Sequence, residues 1–187
     1  MDVISAISTR RSVRSYTDQP VSPETMDQLL RLGTMAATGN NTQPWGFVVI
    51  QDKDEIERLN QVIKADLLAH LEDYPHLQQY QKGLEDPNFS VLNHASSLVI
   101  VYGDTAAHYH VYDCTLAASN IMMAARSMGI ESCWIGFAEY YFASDAFKKE
   151  YGVPDSYELV STLTLGYPTK PVTAAPDRRP PVIFHRS

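Results

Sequence analysis

The chain has 187 residues, 44% hydrophobic and 20% charged, with a formal net charge of −7. That length supports one domain able to bury most of its apolar surface without disulfides or metals, and no apolar run approaches the roughly 20 residues that span a bilayer. The acidic balance argues against nucleic acid as the main partner, because phosphate backbones are met by broad basic surfaces.

Asp2 is an N-cap residue, and Val3, Ile4 and Ile7 after it form one helical stripe. The short helix they predict ends at Ser8-Thr9-Arg10-Arg11-Ser12-Val13-Arg14-Ser15-Tyr16, which concentrates three arginines within an acidic protein. An acid at position two, ahead of the basic residues, reverses the order of a secretory signal, so the expectation is a cytoplasmic protein. A second helix starts at Ser22-Pro23 and carries Met26, Leu29, Leu30 and Gly33 at helical spacing through to about residue 37. Thr38-Gly39-Asn40-Asn41-Thr42-Gln43-Pro44 is turn chemistry, and WGFVVI over 45–50 reads as a buried strand.

Residues 52 to about 70 read as a helix with Ile56, Leu59, Ile63 and Leu67 on one face. From 72 to 93 the aromatic and polar residues keep no clean period, which indicates a long connection or short helices over the core. SLVIVYG over 97–103 is a second strand. Residues 109–128 form an Ala- and Met-rich helix, apolar nearly all round and closed by Gly129. CWIGF over 133–137 follows as a short extended piece, then an amphipathic helix from about 144 to 151, then an alternating strand over 158–166. The tail is rich in proline and ends in Val182-Ile183-Phe184.

Strands separated by helices, with no repeat, low-complexity tract or linker, predict a single domain over 1–187 of α/β or α+β class with three α/β/α layers. A helix that is apolar on all sides in so small a domain needs a second subunit to cover it. Cys114 and Cys133 both lie in apolar segments and read as buried reduced thiols.

Three segments carry candidate chemistry. The arginine cluster is open to three readings: a solvated basic turn, an Arg-Arg-Ser-Val phosphorylation site, or an anion site built on bidentate guanidinium geometry. The Asn41-Thr42-Gln43-Pro44-Trp45 turn places side-chain amides directly before a strand, where they satisfy backbone groups or meet the edge of a ligand. In Gly129-Ile130-Glu131-Ser132-Cys133-Trp134-Ile135-Gly136, glycines flank a short strand, which allows either tight packing or close approach of a flat ligand. Asp113 and Asn120 read as structural polar groups. His94, His108 and His110 lack metal-ligand spacing, so no metal is assigned. Tyr74, Tyr80 and Phe89 are either lid residues or ordinary aromatic packing.

Together RRSVRSY, NTQPW, the long helix with Asp113 and Asn120 leading into GIESCWIG, and LGYP followed by DRRPP resemble, in order and spacing, the nitroreductase-like family of FMN-dependent oxidoreductases. The resemblance implies a mixed central sheet flanked by helices, a homodimer, and a C-terminal tail that reaches across it. It implies that Arg10, Arg11, Ser12 and Arg14 hold the FMN phosphate, ribityl chain and pyrimidine edge, and that Asn41 and Gln43 reach the flavin. Trp134, Ile135 and Gly136 would lie against the ring, with the Ile135 N–H donating to flavin N5, and Arg179 or Arg178 would complete the phosphate site. The implied reaction is ping-pong hydride transfer from NAD(P)H through N5 to a small acceptor such as a nitroaromatic or quinone, with no catalytic side chain. The alternatives are another flavin reaction, such as dehalogenation, dehydrogenation or flavin breakdown, a non-catalytic flavin binder, and a phosphoregulated interaction protein.

Overall fold

The computed structural model describes residues 1–172 and 177–187. Asp2 caps helix α1 (Val3–Thr9) by accepting from Ser5 N, and Ser22 caps α2 (Pro23–Gly33) by accepting from Thr25 N with Pro23 in the first turn. Strand β1 (Trp45–Ile50) leads through the Asp52 cap into α3 (Lys53–Ala69). A 3₁₀ turn (Pro75–Tyr80) and α4 (Gln81–Glu85) fill the aperiodic region before β2 (Ser97–Asp104) and α5 (His110–Ser127). Then come β3 (Glu131–Trp134), α6 (Glu139–Phe142), α7 (Asp145–Glu150) and β4 (Tyr157–Gly166). The short α6 was not expected, because four residues are too few to show a period.

The strands lie in the order β1-β2-β4-β3, and every named pair is antiparallel. This refines the expected mixed sheet: among the described residues the parallel pairing is a single bridge from Ser12 to Ser132 at the β3 edge. Alternation along β2 sends Leu98, Ile100 and Tyr102 to one face and Val99 and Val101 to the other, so two cores form. The first takes Ile56, Leu59, Ile63 and Leu67 of α3 with Phe142 and Phe147, and the second takes Met26 and Leu29 of α2 with Cys114, Ala118 and Ile121 of α5. That is the three-layer arrangement.

Small residues bring α2 and α5 together: a Cβ at Gly33 would lie 2.7 Å from Ile121 Cγ1. Gly129, at φ +77°, ends α5 in the left-handed conformation and lets Ile130 N donate to Ala125 O at 2.9 Å. Two polar residues of α3 organise the 72–93 segment from beneath. Lys64 Nζ donates to the carbonyls of Asp86 (2.6 Å) and Phe89 (2.9 Å), and Asn60 Oδ1 accepts from Val91 N at 2.9 Å; both side chains are buried.

Helix α5 departs from the expectation of burial on nearly all sides. Its Ala and Cys face is buried, but Val111, Tyr112 and Leu116 are exposed. Val3, Ile4 and Ile7 of α1, which packs on α5, are exposed as well, as are Leu32 and Met35 at the end of α2. Apolar side chains of three helices that pack on one another are thus left open.

Candidate functional site

The arginine segment is fastened along the sheet's β3 edge. Val13 N donates to Ser132 O (3.1 Å), Thr17 N donates to Tyr167 O (2.8 Å), and Tyr16 bridges to Pro168. Tyr16 itself is buried, its hydroxyl donating to Val13 O at 2.6 Å and lying 3.0 Å from Thr164 Oγ1. These contacts hold Arg10, Arg11, Ser12 and Arg14 along the edge, with Ser12 and Arg14 exposed and Arg10 and Arg11 half-buried.

Arg11 Nη1 donates to Arg10 O, whereas its Nε and Nη2 are sealed from solvent with no partner among the described residues. Burial, then the charges of Arg178, Arg10 and Arg126, lower its pKa, and Glu131 opposes them. The expected crossing of the tail onto a second subunit involves residues 173–176, which lie outside the described residues.

A cavity of about 440 Å³ runs beside the segment between Arg11, Ser12, Arg14 and Pro168–Lys170. A second, of about 400 Å³, is floored by Cys133, Trp134, Ile135 and Gly136 and walled by Tyr80, Phe89 and Phe137. Arg14 lines both, so the two adjoin at its side chain. The wall is built edge to face: Tyr80 meets Phe137 at 5.0 Å between centroids and Phe89 meets it at 6.3 Å. Tyr74 takes no part in it and stacks on Tyr140 at 3.8 Å.

The expected N–H donor is corrected. Ile135 N donates to Thr162 O at 2.9 Å, continuing the β3–β4 ladder one residue beyond Trp134, and so is already committed. The neighbouring Gly136 N–H has no acceptor among the described residues, and a Cβ built on Gly136 meets nothing within 4 Å. Gly136 is thus the position where backbone lies open to the cavity.

The amide turn is as strained as it is ordered. Asn40, Asn41 and Gln43 all have positive φ (53°, 56° and 49°), and Asn is among the few residues that tolerate this region. Asp113, buried in α5, pins the turn by accepting from Thr38 Oγ1 (2.8 Å) and Gly39 N (3.0 Å), which is the structural role expected of it. The turn presents Asn41 and Gln43 to solvent.

Strand register shows that this turn and the arginines occupy opposite corners of the sheet. Trp45 pairs with Gly103, which pairs with Glu158 at the start of β4, while Ser132 pairs with Leu165 near its end. Three strand spacings and the rise from Glu158 to Leu165 give about 14 Å across and about 23 Å along. One chain's two clusters cannot face the same small ligand.

Sequence reasoning passed over three residues here. Arg126 and the buried Glu131 form an ion pair beside the arginines, and Asn93, at φ 58°, lines the second cavity. Only the strongly charged pair of residues flanking Gly129 hinted at the first two.

Comparison with known proteins places this architecture. The model of the Nitroreductase family matches residues 7–167. A putative NADH dehydrogenase/NAD(P)H nitroreductase of Archaeoglobus fulgidus is 28% identical over 99% of this chain and 97% of its own. The crystal structure of a nitroreductase with bound FMN from Bacteroides fragilis superposes with a TM-score of 0.78 and 27% identity, covering 98% of this chain and 96% of the other. An iodotyrosine deiodinase structure shares the fold (TM-score 0.79, 19% identity, covering 99% of this chain and all of its own). The chain belongs to the Nitroreductase family.

Proposed function

From that membership we propose that the chain is an FMN-dependent NAD(P)H oxidoreductase that works as a homodimer and reduces flat acceptors such as nitroaromatics or quinones. The observation that carries the reading is the pair of adjoining cavities. Arg11, Ser12 and Arg14 line one end and an open glycine backbone the other, the positive charge and donor set that a phosphate and a flat ring require.

Arg11, with Arg10 and Arg178, would hold the phosphate; Ser12 and Arg14 would follow the chain toward the ring. Arg14 would also set positive charge beside the ring, favouring its reduced anionic form. Trp134 and Gly136 would bound the ring, with the Gly136 N–H as the free backbone donor. When bound, FMN supplies the hydride chemistry, which is why no side-chain acid, base or nucleophile is assigned. Tyr80, Phe89 and Phe137 would exclude water from the acceptor's face and favour an aromatic one.

The homodimer is supported by two independent features: the exposed apolar patch of α1, α2 and α5, and the corner-to-corner separation of Asn41 and Gln43 from the arginines. In a dimer the amide turn of one copy would serve the ligand held by the arginines of the other. The dehalogenating reading remains a competitor for the natural acceptor, since the deiodinase shares the fold across its whole length. The test is an absorption spectrum of the purified protein before and after anaerobic NAD(P)H. Flavin bands that bleach, and are restored by a nitroaromatic or quinone, support the reading; a colourless protein that FMN cannot reconstitute overturns it.

A further inference from the structure

Beside the arginine segment lies a charge that anion binding alone does not require. Glu131 opens β3 with its side chain 1% exposed. One oxygen, Oε1, accepts from Arg126 Nη1; the other, Oε2, is sealed from water with no donor among the described residues. Arg126 Nε in turn donates at 3.1 Å to the hydroxyl of Thr9, the residue directly before Arg10. Burial raises the Glu131 pKa and the charges of Arg126, Arg10 and Arg11 oppose that rise, while burial and the charges of Arg178, Arg10 and Arg126 lower the pKa of Arg11. The parallel bridge between Ser12 and Ser132 sets the residues just before them, Arg11 and Glu131, side by side on neighbouring segments, so an unpaired guanidinium edge and an unpaired carboxylate oxygen lie near one another, both sealed from water. Each is costly to leave so.

We propose that Glu131 is the resident counter-ion of the anion site. Its carboxylate balances Arg10, Arg11 and Arg126 while the site is free, and a bound phosphate monoester takes over that balance. This rests on the reading that these arginines hold the phosphate of FMN. One carboxylate among Arg10, Arg11, Arg126 and Arg178 leaves the cluster strongly positive, so a dianion is still attracted. The carboxylate restrains that attraction, and the free cluster does not fly apart by self-repulsion. Two anions that compete for the same guanidiniums are coupled negatively: removing the charge of one strengthens the other.

The test compares dissociation constants for FMN and riboflavin on the flavin-stripped full chain. Their ratio isolates the phosphate, because the rest of the ligand is the same. In Glu131→Gln the preference for FMN over riboflavin rises about tenfold above wild type, the size expected for one unit charge at short range in a partly screened site. Glu131→Asp, which keeps the charge, stays near the wild-type ratio. Arg126→Gln frees the carboxylate to bind Arg10 and Arg11 and lowers the preference, which serves as the measurement if Glu131→Gln does not fold. An unchanged or reduced preference in Glu131→Gln overturns the proposal, as does an equal rise in Glu131→Asp or an unchanged preference in Arg126→Gln. A wild-type chain that binds FMN no more tightly than riboflavin refutes the phosphate site itself, and the counter-ion role with it.

Discussion

Tyr16→Phe tests whether the arginine segment is held in place by the sheet. The substitution keeps the ring, which packs so closely on Gly166 that a Cβ there would lie 2.9 Å from Tyr16 Cδ1. It removes only the hydroxyl, whose 2.6 Å bond to Val13 O lies between Ser12 and Arg14. It also leaves Thr164 Oγ1, 3.0 Å away, without that neighbour. A partly buried carbonyl that loses its donor costs about 1.5 kcal/mol. For a chain of this length that is a fall in melting temperature of about 3–6 °C, read at fixed protein concentration. FMN affinity should fall with it, because Ser12 and Arg14 lose the anchor between them. A cycle with Thr164→Val sharpens the assay: the two substitutions share one hydroxyl contact, so the double variant should lose less than the sum of the singles. A Tyr16→Phe variant that melts and binds FMN as wild type does would show that the Ser12–Ser132 and Tyr16–Pro168 bridges suffice, and the reasoning would fail.

Gly136→Leu should leave the melting temperature of the flavin-free chain nearly unchanged, because its Cβ meets open space, yet strip the purified protein of flavin absorbance. Glu55 accepts from Arg58 (2.8 Å) and from the Tyr151 hydroxyl, and these hold its pKa at about 2. A carboxylate depressed in the folded state adds stability above its unfolded value of about 4.3, and that stability is lost as pH falls toward 2. Glu55→Gln should therefore flatten the decline of melting temperature between about pH 5 and pH 2. Burial pushes the Cys114 thiol up to about 12 and raises that of Cys133. Neither should react with a disulfide reagent at pH 8 until denaturant is added; prompt labelling of the native chain would contradict their packing.

Much of this protein was legible before any coordinates. Local chemistry marked Asp2, Ser22 and Ser144 as helix starts and Gly129 as a helix end, and each acts so because capping involves only residues a few positions apart. The period of Ile56, Leu59, Ile63 and Leu67 marked a buried face in the same way. The family was legible because four short motifs kept their order. What no local pattern carries is the meeting of distant segments. Lys64 and Asn60 sit within a helical run and gave no sign that they would organise 86–91. The resemblance alone does not show that the ladder with β4 takes the Ile135 N–H. Arg126 and Glu131 face one another only because Gly129 reverses the chain between them. The resemblance already allows the amide turn and Arg10 to serve different flavins of a dimer, but only strand order gives the physical reason, by setting them at opposite corners of the sheet. Composition, caps and periodicity determined the elements because these are nearest-neighbour physics; pairing and burial decided the site, because the energy of a charge or an amide depends on groups that only the folded sheet brings near.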